Sequence, residues 1–211
     1  MAYDLEEQEQ LATMKAWWEQ YGRLVIVLVV GGLVTVGGIR GWHYYRNSQS
    51  TAAVVLFEQL QRAERASDHK KVRDIAAQVI DNYGSTPYAA LSALSAAKSA
   101  FDTGDLAAAK TRLQWVIDKA GEEEARDVAR LRLARVLFDE KKLDEAIKLL
   151  ETKPGGSFVG LYAGLRGDVL SVHGKRQEAR SAYQLALEKS DAASPLRQIL
   201  QLKLDALGDA K

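Results

Sequence analysis

Tyr21–Tyr45, YGRLVIVLVVGGLVTVGGIRGWHYY, is the stretch from which the rest of the chain is read. Between Arg23 and Arg40 lie 16 residues without charge, Leu24 to Ile39, mostly Val, Leu, Ile and Gly. Taken from Tyr21 to Trp42 as a helix, the run is about 33 Å long, enough to cross a hydrocarbon core of about 30 Å. Trp17, Trp18 and Tyr21 stand at one end, and Trp42, Tyr44 and Tyr45 at the other. Amphipathic rings favour headgroup depth, and Arg23 and Arg40 can snorkel into the same layer. The pattern predicts a single transmembrane helix over residues 21–45. A cleaved leader fits poorly, because a long and mostly acidic stretch precedes the run and bulky aromatics follow it. A soluble core helix would carry a polar face, which is missing.

Five glycines, Gly31, Gly32, Gly37, Gly38 and Gly41, interrupt the apolar run. Gly37 and Gly41 have GxxxG spacing, Gly31 and Thr35 repeat the small-xxx-small theme, and Gly38 falls on a similar face. Two readings stay open: glycine is common in membrane helices, and small residues also let such a helix pack laterally on another membrane protein.

The 211 residues carry formal net charge +1. Beyond residue 46 the basic and acidic residues nearly balance, so no basic bias points to nucleic acid. Cysteine is absent, which rules out disulfides and thiolate metal sites and is compatible with an oxidising compartment. Lys15 and Arg23 on one side of the apolar run nearly balance Arg40 and Arg46 on the other, so charge counting leaves the orientation open.

Asp4 to Glu19 reads as a short helix with acids in its first turns and an apolar stripe of Leu11, Met14 and Trp18. A new start is expected at Asn47-Ser48. After it, apolar spacing near 3.6 and strong helix formers predict helices at about 50–66, 69–82, 87–102, 105–119, 123–140, 143–152, 158–173, 175–190 and 195–207. Turn signals such as Gly84-Ser85-Thr86-Pro87 and Thr103-Gly104-Asp105 separate them. The segments repeat: VRDIAAQVI, LAAAKTRLQWVI, LDEAIKLL and RQEARSAYQLAL align with Ile75, Ala109, Ala146 and Ala179 in one column. Ala97-x-x-x-Phe101 recurs as Ala134-x-x-x-Phe138. A period of about 34 residues built from helix–turn–helix units is the tetratricopeptide signature, here a degenerate, TPR-like one. The expected architecture is all-α: residues 1–20, an N-terminal segment; 21–45, the anchor; and 46–211, a TPR-like helical-repeat solenoid.

No catalytic constellation emerges. His43, His69 and His173 are scattered, and there is neither a zinc-protease motif, nor a nucleophile elbow, nor a phosphate loop. Arg166-Gly167-Asp168 falls mid-helix and reads as chance. A non-enzyme without cofactor or metal is expected. Arg126, Arg130, Arg132 and Arg135 spread round helix 123–140, as a solvated face or a surface for an acidic partner. Trp115 lies opposite most of the core stripe of its helix, among Thr111, Arg112 and Lys119. It either packs on the next helix or, with Arg112 and Lys119, grips an apolar polypeptide segment.

The N-terminal motif DLEEQEQLATMKAWWEQYG, the Gly-rich span that follows it, and the turns DNYGSTPYAALSAL and TGDLAAAKTRLQWVI together resemble the YfgM family along essentially the whole chain. The resemblance implies an inner-membrane protein of Gram-negative bacteria with a cytoplasmic N-terminus and a periplasmic TPR-like domain. It further implies association with the SecYEG translocon and the membrane-anchored chaperone PpiD, and help in passing exported polypeptides to periplasmic chaperones. A membrane-tethered scaffold or regulator of envelope stress signalling is the alternative.

Overall fold

The computed structural model describes residues 2–191 and 193–208, apart from the side chains of residues 2–10, 12, 13, 25, 41, 43 and 45–47. Among the described residues there are only helices and turns: α1 (Ala2–Arg65), α2 (His69–Tyr83), α3 (Pro87–Asp102), α4 (Leu106–Lys119), α5 (Glu123–Asp139), α6 (Leu143–Leu150), α7 (Val159–Val172), α8 (Arg176–Lys189) and α9 (Leu196–Ala206), with a 3-10 turn at Gly156–Phe158. Met1–Ser48 and Gln49–Lys211 are separate compact units.

In the first unit the expected break at Asn47-Ser48 is absent, since α1 runs through it. Capping residues end a helix only where the backbone leaves helical geometry, and no proline forces it to do so. The apolar run expected to form a single span over residues 21–45 carries a bend. Met14–Leu24 and Ile26–Arg40 meet at 43°; among the described residues no single helix is long and apolar enough to cross a membrane, whereas this bent pair has the length and composition together. Trp18 folds its indole over Gly22, where an added Cβ would come within 3.1 Å of the ring. The side chains from Ile26 to Val30 are all more than half exposed.

The second unit is built of antiparallel pairs: the last turns of α1 with α2, then α3 with α4, α5 with α6, and α7 with α8, closed by α9. The turn inside each pair has one geometry. Ser67, Gly104, Lys141 and Gly174 take positive φ (53°, 78°, 64° and 84°). The next residue's N–H reaches back to close the first helix: Asp68 to Ala63 O, Asp105 to Ala100 O, Lys142 to Leu137 O, and Lys175 to Leu170 O, at 2.8–2.9 Å. These are Schellman closures, which satisfy carbonyls that would otherwise end the helix unpaired.

The left-handed residues fix the true register. They put Val72, not Ile75, in the column of Ala109, Ala146 and Ala179, correcting the sequence alignment of the first repeat by one helical turn. Residues three apart share a helix face, and Val72 and Ile75 are both buried, which is why the pattern alone could not separate them.

Two further columns, one on each helix of a pair, trade size against each other: Leu60 with Ala76, Ala97 with Leu113, Ala134 with Leu150, and Gly167 with Tyr183. The six Ala and Leu side chains are buried, as is Tyr183. A Cβ on Gly167 would lie 2.5 Å from the Tyr183 ring, so the glycine is there to admit the ring. Next to it the Tyr183 hydroxyl donates to Asp168 Oδ1 at 2.8 Å, and Lys203 Nζ binds both Asp168 oxygens at 2.6 and 2.8 Å, joining α8 and α9 to α7. Burial first, then the Asp168 carboxylate, pushes the Tyr183 phenol well above its ordinary range.

A second polar tie centres on Asp127, which is fully buried. Its carboxylate accepts from Arg130 Nη1 at 2.9 Å, from the Gly155 N–H at 2.8 Å and from the Tyr162 hydroxyl at 3.3 Å. These bonds pin the Pro154–Gly156 turn to α5 and α7, and a charge so enclosed is tolerable only because its lone pairs are satisfied.

Apolar burial falls into two clusters. One gathers Leu60, Val72, Ile75 and Val79 near the start of the array, and the other runs from Ile80 to Leu200. Trp115 packs against both.

Candidate functional site

The first helices of successive pairs leave openings between them on one side of the array. One, about 320 Å³, lies between α3, α4 and α5, with Ala97, Phe101, Leu113 and Val136 among its walls. The next, about 360 Å³, lies between α5, α7 and α9, walled by Leu131, Leu161, Gly164 and Ile199 among others. Both are bordered by Arg132 and Arg135 of α5, so the two adjoin along a shared basic rim. Apolar side chains stay exposed here: Phe101 at 43%, Leu161 at 41% and Ile199 at 49%.

The four arginines of α5 divide into two pairs by role. Arg126 Nη1 donates to the Ala120 carbonyl at 2.7 Å and pairs with Glu123, and Arg130 belongs to the Asp127 tie. Hydrogen bonds from Arg126, then Arg130, hold the Glu123 carboxyl below its usual range. Arg132 and Arg135 are the two that border the groove. Arg135 lies over the Phe138 ring at 5.6 Å and pairs with Asp139 at 3.6 Å. Arg132 is exposed; it has a 3.4 Å bond to the Leu94 carbonyl and, among the described residues, no carboxylate partner. Sequence spacing could not separate the two roles, because the spread round the helix needs neighbours to give it meaning.

Trp115 is half-buried, packed against both apolar clusters and 3.9 Å from where a Cβ on Gly84 would lie. It borders a wide opening on the α4–α6 side, about 950 Å³, with Thr111, Gln114 and Leu149. Arg112 and Lys119 do not line that opening. Near its rim, Lys110 Nζ grips Glu140 at 2.6 and 2.7 Å; this bond, then one from Lys142, lowers the Glu140 carboxyl below its usual range.

In the first unit Gly31, Gly32, Gly37 and Gly38 have nothing within 4 Å of an added Cβ. Gly41 lies outside the residues whose side chains are described. Thr35 Oγ1 donates to the Gly31 carbonyl at 2.8 Å, so its hydroxyl is satisfied within its own helix. Of the histidines, His69 Nδ1 meets Ser99 Oγ at 3.1 Å and His173 Nε2 meets Asp144 at 3.2 Å, while the side chain of His43 is outside the described set. Among the described residues no three His, Asp or Glu side chains are grouped to hold a metal ion.

The tetratricopeptide repeat-like domain family matches residues 15–209. The ancillary SecYEG translocon subunit of Neisseria gonorrhoeae is 31% identical over 98% of this chain and 100% of its own length. The protein of that name from Escherichia coli is 32% identical over 95% of this chain and 96% of its own. That from Haemophilus influenzae is 28% identical over 98% and 100%. With paired helices, Schellman turns and matches spanning both units, the chain belongs to the YfgM family of ancillary SecYEG translocon subunits, built on a TPR-like domain.

Proposed function

We propose that this chain is an ancillary inner-membrane subunit of the SecYEG translocon. The bent apolar segment over residues 21–45 anchors it, residues 1–20 stay cytoplasmic, and the TPR-like array over 46–211 stands in the periplasm. There it works with a PpiD-like membrane-anchored chaperone to pass newly exported polypeptides to periplasmic chaperones, as a binding protein rather than an enzyme. Anchoring raises the local concentration of a weak binding surface where chains emerge. The observation that carries the reading is the reach of the likeness: it covers 98% of this chain, apolar segment and array alike, and the whole of the Neisseria protein. Gly31, Thr35, Gly37, Gly38 and Gly41 form the face that packs on the channel or its partner. Gly37 and Gly38 leave room for a close helix approach, while Thr35 spends its hydroxyl proton on the Gly31 carbonyl of its own helix.

The test is co-purification after mild detergent solubilisation. Channel subunits should come down with the wild-type chain, and Gly37→Leu should lose most of them while remaining in the membrane fraction. Recovery of the wild-type chain without channel or chaperone subunits would overturn the reading.

A further inference from the structure

We infer that the groove along α3, α5, α7 and α9 holds an extended polypeptide segment in which a carboxylate lies between two apolar side chains, with Arg132 receiving the carboxylate. The inference rests on reading the array as a protein-binding domain and names what that domain selects.

The charges bordering the groove largely cancel. Lys98 pairs with Asp102 at 2.6 Å, Lys203 with Asp168 at 2.6 Å, and Arg135 with Asp139 at 3.6 Å. Arg132 remains, its charge unanswered among the described residues and its planar fork of donors engaged only by a long bond to Leu94 O. A guanidinium set between two apolar openings favours an anion, and its fork suits a carboxylate.

The flanks determine the rest of the ligand. On either side of Arg132 is an opening with apolar walls, one reaching to Phe101 and the other to Leu161 and Ile199. Neighbouring helices pack about 8–10 Å apart, so the two openings are separated by roughly that distance. In an extended chain alternate side chains share a face, so residues i, i+2 and i+4, spread over about 13 Å, reach the first opening, Arg132 and the second. A free anion would leave both openings unfilled, and a purely apolar segment would cover Arg132 and leave it desolvated and unpaired. A short acidic–apolar peptide satisfies all three.

The probe is a fluorescein-labelled octapeptide with Leu-Ala-Asp-Ala-Leu at its centre, which puts both leucines and the aspartate on one face of an extended chain, compared with its Leu-Ala-Asn-Ala-Leu counterpart. Binding is read by anisotropy on the full chain in lipid nanodiscs. The aspartate peptide should bind roughly tenfold tighter than the asparagine one, the worth of one charge-assisted contact. Arg132→Gln should erase that ratio, and Arg132→Lys should restore part of it. Ile199→Ser, an exposed wall position, should weaken both peptides alike while leaving the ratio intact. Equal binding of the two peptides, a ratio unmoved by Arg132→Gln, or no binding of either would each overturn the inference. Channel co-purification with the same variants keeps the two readings apart. A failed peptide with channel subunits still recovered refutes the groove alone, whereas a bound peptide without them refutes the translocon assignment alone.

Discussion

Gly167 sits where a methyl group has nowhere to go. A Cβ there meets the Tyr183 ring at 2.5 Å, so Gly167→Ala should destabilise the array by about 1–3 kcal/mol in thermal or chemical denaturation. The other repeats put Leu opposite Ala in the equivalent columns, so adding Tyr183→Leu to Gly167→Ala should recover part of the loss. The double-mutant cycle should show a coupling well outside additivity. Glu140 offers an electrostatic test. Its carboxyl is lowered by Lys110, then Lys142, so the unfolded chain binds more protons than the folded one as pH falls below about 4.5. Its contribution to stability is present above that value and lost as pH falls through the folded pKa. Glu140→Gln should therefore flatten the acid side of a melting-temperature profile and leave the neutral side lower. Neither feature was legible in the sequence. Arg166-Gly167-Asp168 looked like chance because its partner, Tyr183, lies on the following helix, across a turn. The Lys110–Glu140 contact likewise joins separate helical pairs, Lys110 on α4 and Glu140 at the end of α5.

At the scale of single elements, sequence and structure agree closely wherever the ends are chemically marked. α2 to α5 begin and end within a residue or so of the expected ranges, because Asp68, Asp105, Pro87 and the turn glycines mark them. Asp68 and Asp105 accept from the N–H of Lys71 and Ala108, each at 3.0 Å. Of the two turns that lack a glycine marker, the reading slipped at one. Ser67 and Lys141 occupy left-handed positions that glycine fills in the other two turns, so the first repeat aligned one turn out of place. Ser67→Gly should raise stability by about 0.5–1 kcal/mol, since a side chain at φ 53° carries a strain that glycine lacks. A denaturant midpoint shifted upward at unchanged slope would register it. The groove was illegible for a different reason. Its walls come from several helices, and which residues of each face it depends on how the pairs stack, which no single helix's periodicity encodes.

For the molecule as a whole, a solenoid of neighbour contacts makes the end pieces decisive. α9 buries Leu200 to 3% exposure, and its Lys203 grips Asp168, while Arg176 Nε donates to the Leu207 carbonyl at 2.6 Å. Truncation after Ser190 should uncover the apolar side of α7 and speed hydrogen exchange in α7 and α8 far more than in α2 and α3. Uniform acceleration would mean the array lacks this directional character. Against that stands the indole at position 115, shared by both apolar clusters. The other three tryptophans, Trp17, Trp18 and Trp42, all precede the array. With those three changed to phenylalanine, the protein would carry a single tryptophan, at the seam of its interior, that can be excited apart from the tyrosines. Its emission would report whether the early and late portions come apart together or in turn.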